Sequence, residues 1–560
     1  MPTLSPLQTL PIHTIERIVD FVAINIRLKF GAVNPNTYFE ECHILLMPLL
    51  GVCHIFRAVV YSRFSMRYRL AVDLEKAHGW PIPCTRCQKR LHNPFHLMAK
   101  EVMVSISPLT VFSGKALVAL SRAPFNDISF PLARTLEVYF HNFMDDEEIP
   151  AASQDVEDNI SVFVRRIWQM APNINFVKLS GDLRSWDQDI IHVGALITRL
   201  VLSVSRIEFA WYVHTASCFL RVEAIRDLTY LGCDSNFDGE QIVQLIQQNA
   251  PTLQYLSVLL GGGVDYSPII KDADGSYVEY SRLRTLVMKQ EHCSRMPRRH
   301  VFDGAAPFPS LRRLVSNAKC PLGDEMVLFR GNAATLEHLN LTLNCELATE
   351  LLRENVFTPT SHPKLQSVIL KPHPNMLLAN SPAYSVFLQL VEEIAPDAVV
   401  REIDFRAYRL STPPLLSLFG KFTNLQVLAL PELRLSIWDA MALLKSLPLL
   451  SDFHAQSPVL DPLPDGVTKR GLVAYVRSNY SPMAPRFRCW HLGSSQDKYL
   501  KASAVLFLLL ALACPNFDFV AAGASKREIL TAALEKALGM ATYKKYAPRL
   551  RRLLPRGLEL

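Results

Sequence analysis

The sequence predicts an α/β solenoid, with parallel strands on a concave wall and helices on a convex one, behind a separate α-helical head. Three observations predict it. A short triplet (apolar, two variable, apolar, one variable, apolar) recurs along most of the chain, its copies are evenly spaced, and the helix-like stretches between them end at proline.

The plainest copies are Leu336-Glu-His-Leu339-Asn-Leu341, Leu425-Gln-Val-Leu428-Ala-Leu430 and Ile197-Thr-Arg-Leu200-Val-Leu202. Pro251 and Pro363 lead two more, beginning at Leu253 and Leu365. Degenerate copies begin at Ile174, Ile225, Leu283, Leu311, Val400, Leu450, Phe487 and Phe517. Successive copies lie 23 to 37 residues apart, near the roughly 20–29 of one strand-plus-helix unit. Such a unit cannot bury its own leucines, so neighbours must stack and share a continuous core.

Helices are expected over residues 155–171, 238–250 and 436–447. Asp238 supplies a capping carboxylate, with Ile242, Leu245 and Ile246 at helical spacing. In the first helix Val162, Ile167 and Met170 are read as one side. Ala171-Pro172, Ala250-Pro251, Ala395-Pro396, Leu447-Pro448 and Cys514-Pro515 close such stretches. Proline biases its predecessor away from helix and so stops it before the next strand.

With these residues the pattern from about Phe125 to Ala522 resembles the leucine-rich-repeat family, and Asn344 stands at that family's asparagine position. The resemblance implies a protein-binding concave face built from the variable strand positions. Alternation along a strand turns outward Phe176, Lys178, Asp227, Thr229, Glu402, Asp404 and Arg406, and the candidate contact set Tyr255, Ser257, Thr285, Lys289, Arg313, His338, Asn340 and Thr342. This mixture of signs lacks the basic, aromatic stripe of a nucleic-acid groove and suits a protein ligand.

The head is read differently. Leu10-Pro11 opens a helical pattern through Ile15 and Ile18, and a second block carries Leu49, Leu50, Val52, Cys53 and Phe56. This resembles an F-box, with residues 24–41 inserted and Phe56 in place of the usual tryptophan. The resemblance implies that those nine residues dock on the adaptor subunit of a cullin-type ubiquitin ligase while the repeats hold an unknown protein substrate. The alternative is an amphipathic helical cap on the first repeat, since solenoid ends need one. The head is expected over residues 1–75, a linker over 76–100, the solenoid over 101–524, and a capping helix with a basic tail over 525–560.

Composition narrows the remaining classes. The 560 residues are 49% hydrophobic and 20% charged with a net charge of +7, a globular balance that does not demand nucleic acid. The odd count of 11 cysteines argues against a disulfide framework, and reduced thiols point to cytoplasm or nucleus. Residues 1–10 show no secretory pattern, so the triplets at Asn159, Asn340 and Asn479 are read as chance glycosylation matches. The apolar run Ala502–Cys514 has 13 residues, short of the roughly 20 that cross a bilayer, so no membrane is expected.

Chemistry-bearing motifs are few. Cys84, Cys87, His92 and His96 offer zinc donor types, but four residues separate Cys87 from His92, against the roughly 12–15 of a zinc finger. They are read as a linker with free thiols, and no metal or cofactor is expected. Gly261-Gly-Gly263 lacks the lysine of a phosphate loop. The acidic run Asp145–Glu148 and the basic group Arg295, Arg298, Arg299 and His300 are read as solvated loops. The expectation is a non-enzymatic adaptor whose mechanism is proximity. The other reading is a repeat scaffold without a ligase contact.

Overall fold

The computed structural model describes residues 14–15, 67–71, 99–121, 129–140, 153–181, 190–210, 221–233, 239–259, 269, 276–290, 308–318, 331–343, 345–353, 362–372, 386, 389–390, 402–404, 422, 424–430, 435–455, 465–467, 471–480, 483–492, 506, 509–510, 513–514 and 519–521. The chain forms two compact units, Ala58–Asn332 and a second that takes in Met1–Arg57 and Ala333–Leu560.

The unit Ala58–Asn332 holds nine strands among the described residues: β1 (Arg67–Ala71), β2 (Glu101–Ile106), β3 (Thr135–Phe140), β4 (Phe176–Gly181), β5 (Arg206–Phe209), β6 (Tyr230–Cys233), β7 (Tyr255–Leu259), β8 (Thr285–Gln290) and β9 (Arg313–Ala318). Each pairs in parallel with the next in chain order. The crossovers carry α1 (Pro108–Phe112), α2 (Lys115–Ser121), α3 (Ser153–Met170), α4 (Ile190–Val201), a 3-10 turn (Val222–Ala224) and α5 (Gly239–Asn249). One strand per repeat in sequential parallel order is the leucine-rich-repeat type of α/β solenoid. β1 already lies within the residues read as head.

The unit's core is a set of apolar rows. Val102, Leu136, Val177, Ile207, Leu231, Leu256, Leu286 and Leu314 occupy one register row and are all buried. Ahead of several strands a four-residue turn brings a buried residue's carbonyl onto the first apolar N–H. Ala133 donates to Phe130, Leu283 to Tyr280 and Leu311 to Phe308, at 3.1–3.3 Å. Pro131 and Pro309 follow Phe130 and Phe308, the turn position that their fixed φ favours. Proline thus builds the entry turn as well as ending what precedes it. A carbonyl ladder follows: Thr229 O accepts from Gln254 N and Tyr255 N, and Arg284 O from Arg312 N and Arg313 N. At the end of β4, Gly181 has φ +127 and a Cβ there would meet Phe140 O at 2.0 Å, so only glycine allows that approach.

Two triplets differ from the sequence reading. Ile197 and Leu200 lie in α4, with Val193, Leu196 and Val201 on the same buried stripe, while Leu202 is 47% exposed. The strand comes later, as Val204-Ser-Arg-Ile207-Glu-Phe209. Apolar residues at i and i+3 fit a helix as well as a strand, and the helical stripe prevails. Likewise Ile225 follows the 3-10 turn, and the strand is Leu228-Thr-Tyr-Leu231-Gly-Cys233. Val162 is 45% exposed, and the buried stripe of α3 is Val156, Ile160, Phe163, Ile167 and Met170. Val162 and Ile167 are five residues apart and cannot share a helical face.

In the second unit β10 (His338–Leu343) pairs with β11 (Ser367–Pro372), and β12 (Glu402–Asp404), β13 (Val427–Leu430), β14 (Asp452–Ala455), β15 (Cys489–Leu492) and β16 (Phe519–Ala521) follow in parallel order. Helices with described bounds there are α6 (Cys345–Arg353), α7 (Ile437–Ser446) and α8 (Leu472–Tyr480). Ser436 caps α7 by accepting from Asp439 N at 3.0 Å. The turn recurs, with Leu365 donating to His362, Leu425 to Phe422 and Leu450 to Leu447. Asn344 and the tail 525–560 lie outside the described residues.

The register at β5 is testable by denaturation of the intact chain. Leu202→Ala is expected to change stability by less than about 0.5 kcal/mol, whereas Ile207→Ala, in a fully buried row, costs about 2–5 kcal/mol. A large loss at Leu202 would restore the earlier register.

Candidate functional site

On each strand of the first unit the positions between the buried apolar residues form rows on the open face. The first row runs Glu101, Thr135, Phe176, Arg206, Tyr230, Tyr255, Thr285, Arg313. The parallel row two residues on runs Met103, Glu137, Lys178, Glu208, Gly232, Ser257, Val287, Val315. In a parallel sheet such neighbours stand roughly 4.8 Å apart, so long side chains touch along a row.

The middle of the first row is a packed cluster. The rings of Tyr230 and Tyr255 stack at 4.1 Å with 5° between planes. Phe176, two strands from Tyr230, meets it edge-on at 5.1 Å. The Arg206 guanidinium lies against both, 4.6 Å from the Phe176 centroid and 5.2 Å from that of Tyr230, and Lys178 Nζ is 5.3 Å from Phe176. These distances are within the roughly 6 Å at which a cation is held by a ring quadrupole. The Tyr230 hydroxyl donates to Glu208 Oε2 at 3.3 Å.

Gly232 leaves the room for this contact. A Cβ there would stand 3.2 Å from Glu208 Cγ and 3.5 Å from Tyr230 Cε1. Burial raises the phenol pKa of Tyr230 well above its ordinary value, and the nearby Glu208 carboxylate and Tyr255 add to the shift. The open face therefore does carry cations among stacked rings, which the sequence reading did not place.

The sequence-derived contact residues are distributed as follows. Tyr255, Thr285 and Lys289 are half-buried on the first unit, Arg313 is exposed, and Ser257 is buried at 2%. His338 is exposed and Asn340 and Thr342 are half-buried on β10, in the second unit. Of the head set only Ile15 is described, helical and fully buried. Leu10, Pro11, Ile18, Leu49, Leu50, Val52, Cys53 and Phe56 lie outside the described residues, as do Cys84, Cys87, His92, His96 and the basic group 295–300. Among the described residues no group of three or more His, Cys, Asp or Glu is placed to hold a metal ion, and no helix is long and apolar enough to cross a membrane.

Arg206, Glu208, Tyr230 and Gly232 escape the sequence reading because both misplaced triplets fall ahead of their strands. A signal was present. The anchors Ile174, Val204, Leu228 and Leu253 are 30, 24 and 25 residues apart, as even as the copies chosen.

No family model matches the chain, and no curated protein matches it. Among solved structures, the leucine-rich repeat-containing protein LegL7 from Legionella pneumophila is similar at 10% identity, over 78% of this chain and 98% of its own, with a TM-score of 0.26.

The raised pKa of Tyr230 gives a pH dependence. The unfolded chain releases this proton near pH 10 and the folded chain only above it. The stabilisation is therefore complete below about pH 10 and lost as pH rises further. In alkaline denaturation series Tyr230→Phe is expected to flatten that decline. An unchanged slope would show the phenol to be freely solvated.

Proposed function

We propose that the chain is a non-enzymatic protein-binding scaffold whose ligand surface is the open strand face of the unit Ala58–Asn332. The observation that carries this is the row Phe176, Arg206, Tyr230, Tyr255, where rings and cations are held in fixed mutual contact on the open face. Rigid aromatic and arginine anchors amid polar neighbours are the composition of binding hot spots. The test is affinity capture from cells with the full chain. Arg206→Ala with Tyr255→Ala is expected to lose specific partners, while Val162→Glu, on the exposed side of α3, keeps them. Loss through Val162→Glu alone would move the surface to the helix layer.

A finer reading is supported by the head. There Leu10, Pro11, Ile15, Ile18, Leu49, Leu50, Val52, Cys53 and Phe56 resemble an F-box, and Ile15 is helical and buried. On this reading the chain is a substrate-recognition subunit, binding the adaptor subunit of a cullin-type ubiquitin ligase through the head and a protein substrate through the repeats. Co-purification of the adaptor with the intact chain, abolished by Leu10→Ala with Pro11→Ala, is the expected result. An intact chain that retains partners but never the adaptor would leave a scaffold without a ligase role.

A further inference from the structure

Charge is unevenly spread along the open face. Among the described residues between 251 and 318 the charged side chains are Arg282, Arg284, Lys289, Arg312 and Arg313, against one acid, Glu279. Nearer β2 the signs are mixed, with Glu101, Glu137 and Glu208 set against Lys178 and Arg206. The open face thus has one basic end.

The backbone fixes where the arginines stand. Arg313 continues the first row beyond Tyr255 and Thr285. Arg284 and Arg312 directly precede β8 and β9, and Arg284 O accepts both Arg312 N and Arg313 N at 2.9 Å. All three side chains are exposed. Among the described residues no carboxylate forms an ion pair with Arg284 or Arg313. The strands they lead are roughly 4.8 Å apart, so the two arginines present neighbouring cationic donors to carboxylates of an extended peptide.

We propose that Arg284 and Arg313 receive the carboxylates of an extended Asp/Glu-rich segment of a protein partner, which continues along the first row toward Tyr255 and Arg206. This rests on the reading of the open face as the ligand surface. Charge complementarity selects the occupant, since the described residues of the face beyond Tyr255 are cationic while Tyr255 and Tyr230 offer ring edges. A single-stranded nucleic acid is disfavoured by the same geometry. It needs open ring faces for its bases, yet Tyr230 is stacked by Tyr255 with Arg206 against it, and Phe176 is buried with two cations on it.

The test uses the full chain and a fluorescein-labelled decapeptide of alternating glutamate and glycine, read by anisotropy. Binding is expected to weaken as ionic strength rises through about 0.15 M. It should fall about tenfold or more in Arg284→Glu with Arg313→Glu, a loss typical of removing a charged anchor. Arg284→Gln with Arg313→Gln is expected to give a smaller loss in the same direction, and an unchanged thermal midpoint shows that either variant is folded. Arg134→Glu, exposed ahead of β3, should stay within about twofold of the parent.

Equal losses at Arg134 and at the pair would mean diffuse charge attraction and overturn the proposal. Tighter binding of an oligothymidylate through the same arginines would replace it with nucleic-acid recognition. If cellular partners are lost with Arg206 and Tyr255 but the decapeptide ignores Arg284 and Arg313, the acidic-segment proposal fails while the scaffold stands. If capture also ignores Arg206 and Tyr255, the scaffold reading fails with it.

Discussion

Everything in the first unit depends on one residue per repeat, the first apolar position, being buried against its counterpart in the next repeat. Ala99, Ala133, Ile174, Val204, Leu228, Leu253, Leu283 and Leu311 are each no more than 6% exposed. Burial of a leucine side chain contributes about 1.5–3 kcal/mol, and here each repeat obtains it only from its neighbours. Three of them, Ala133, Leu283 and Leu311, are also fixed by hydrogen bonds, because their N–H groups close the turns that begin at Phe130, Tyr280 and Phe308. Packing and backbone bonding therefore set one register together. A slip of one residue would turn the whole apolar set to the other face.

That constraint leaves the other strand face freer in composition, although Phe176, Ser257, Val287 and Val315 are buried there too. Where the core row from Val102 to Leu314 is aliphatic throughout, the first open row holds glutamate, threonine, aromatic rings and arginines in turn. Backbone hydrogen bonds fix the spacing along the row, so side chains too long for one strand interval must lean on one another. Phe176 and Tyr230 meet across the strand that carries Arg206, and Gly232 gives the Glu208 carboxylate space to reach the Tyr230 hydroxyl. The cluster is a consequence of the sheet's repeat distance acting on this particular row.

The sequence carried the architecture clearly and the site poorly, for one reason. Leucine anchors such as Leu253, Leu283, Leu311, Leu336 and Leu425 mark their strands because the pattern repeats at a fixed interval, and the structure places a strand two residues after each. At α4 the apolar residues Ile197 and Leu200 satisfy helix and strand templates alike, and only the neighbouring Val193 and Leu196 separate them. The three-residue shift at Leu228 has the same origin in a second apolar residue, Ile225, buried at the preceding turn. Because an anchor names every residue of its strand, two such errors removed Arg206, Glu208, Tyr230 and Gly232 from view. Tyr255, on a correctly placed strand, was read as outward while its partner ring was not. Contacts along a row, such as the buried Ser257 beside Gly232 and Val287, depend on side-chain volumes on three strands and have no period to reveal them.

The geometry of the ring cluster also limits the kind of ligand it serves. An aromatic side chain offers a partner its face, its edge or its polar tip. In this row the stacking of Tyr230 on Tyr255, and the cations laid against Phe176 and Tyr230, occupy ring faces within the protein itself. What is left outward is hydroxyl groups, edges and guanidinium N–H donors, which match the carbonyls and carboxylates of a polypeptide better than a planar base. The contacts that close the faces also restrict the rotamers of Arg206 and the two tyrosines before any ligand arrives. Less side-chain freedom is then lost on association, which is the main way a face of modest area gains affinity. The stacking that makes the row look self-satisfied is thus the property that suits it to hold another chain.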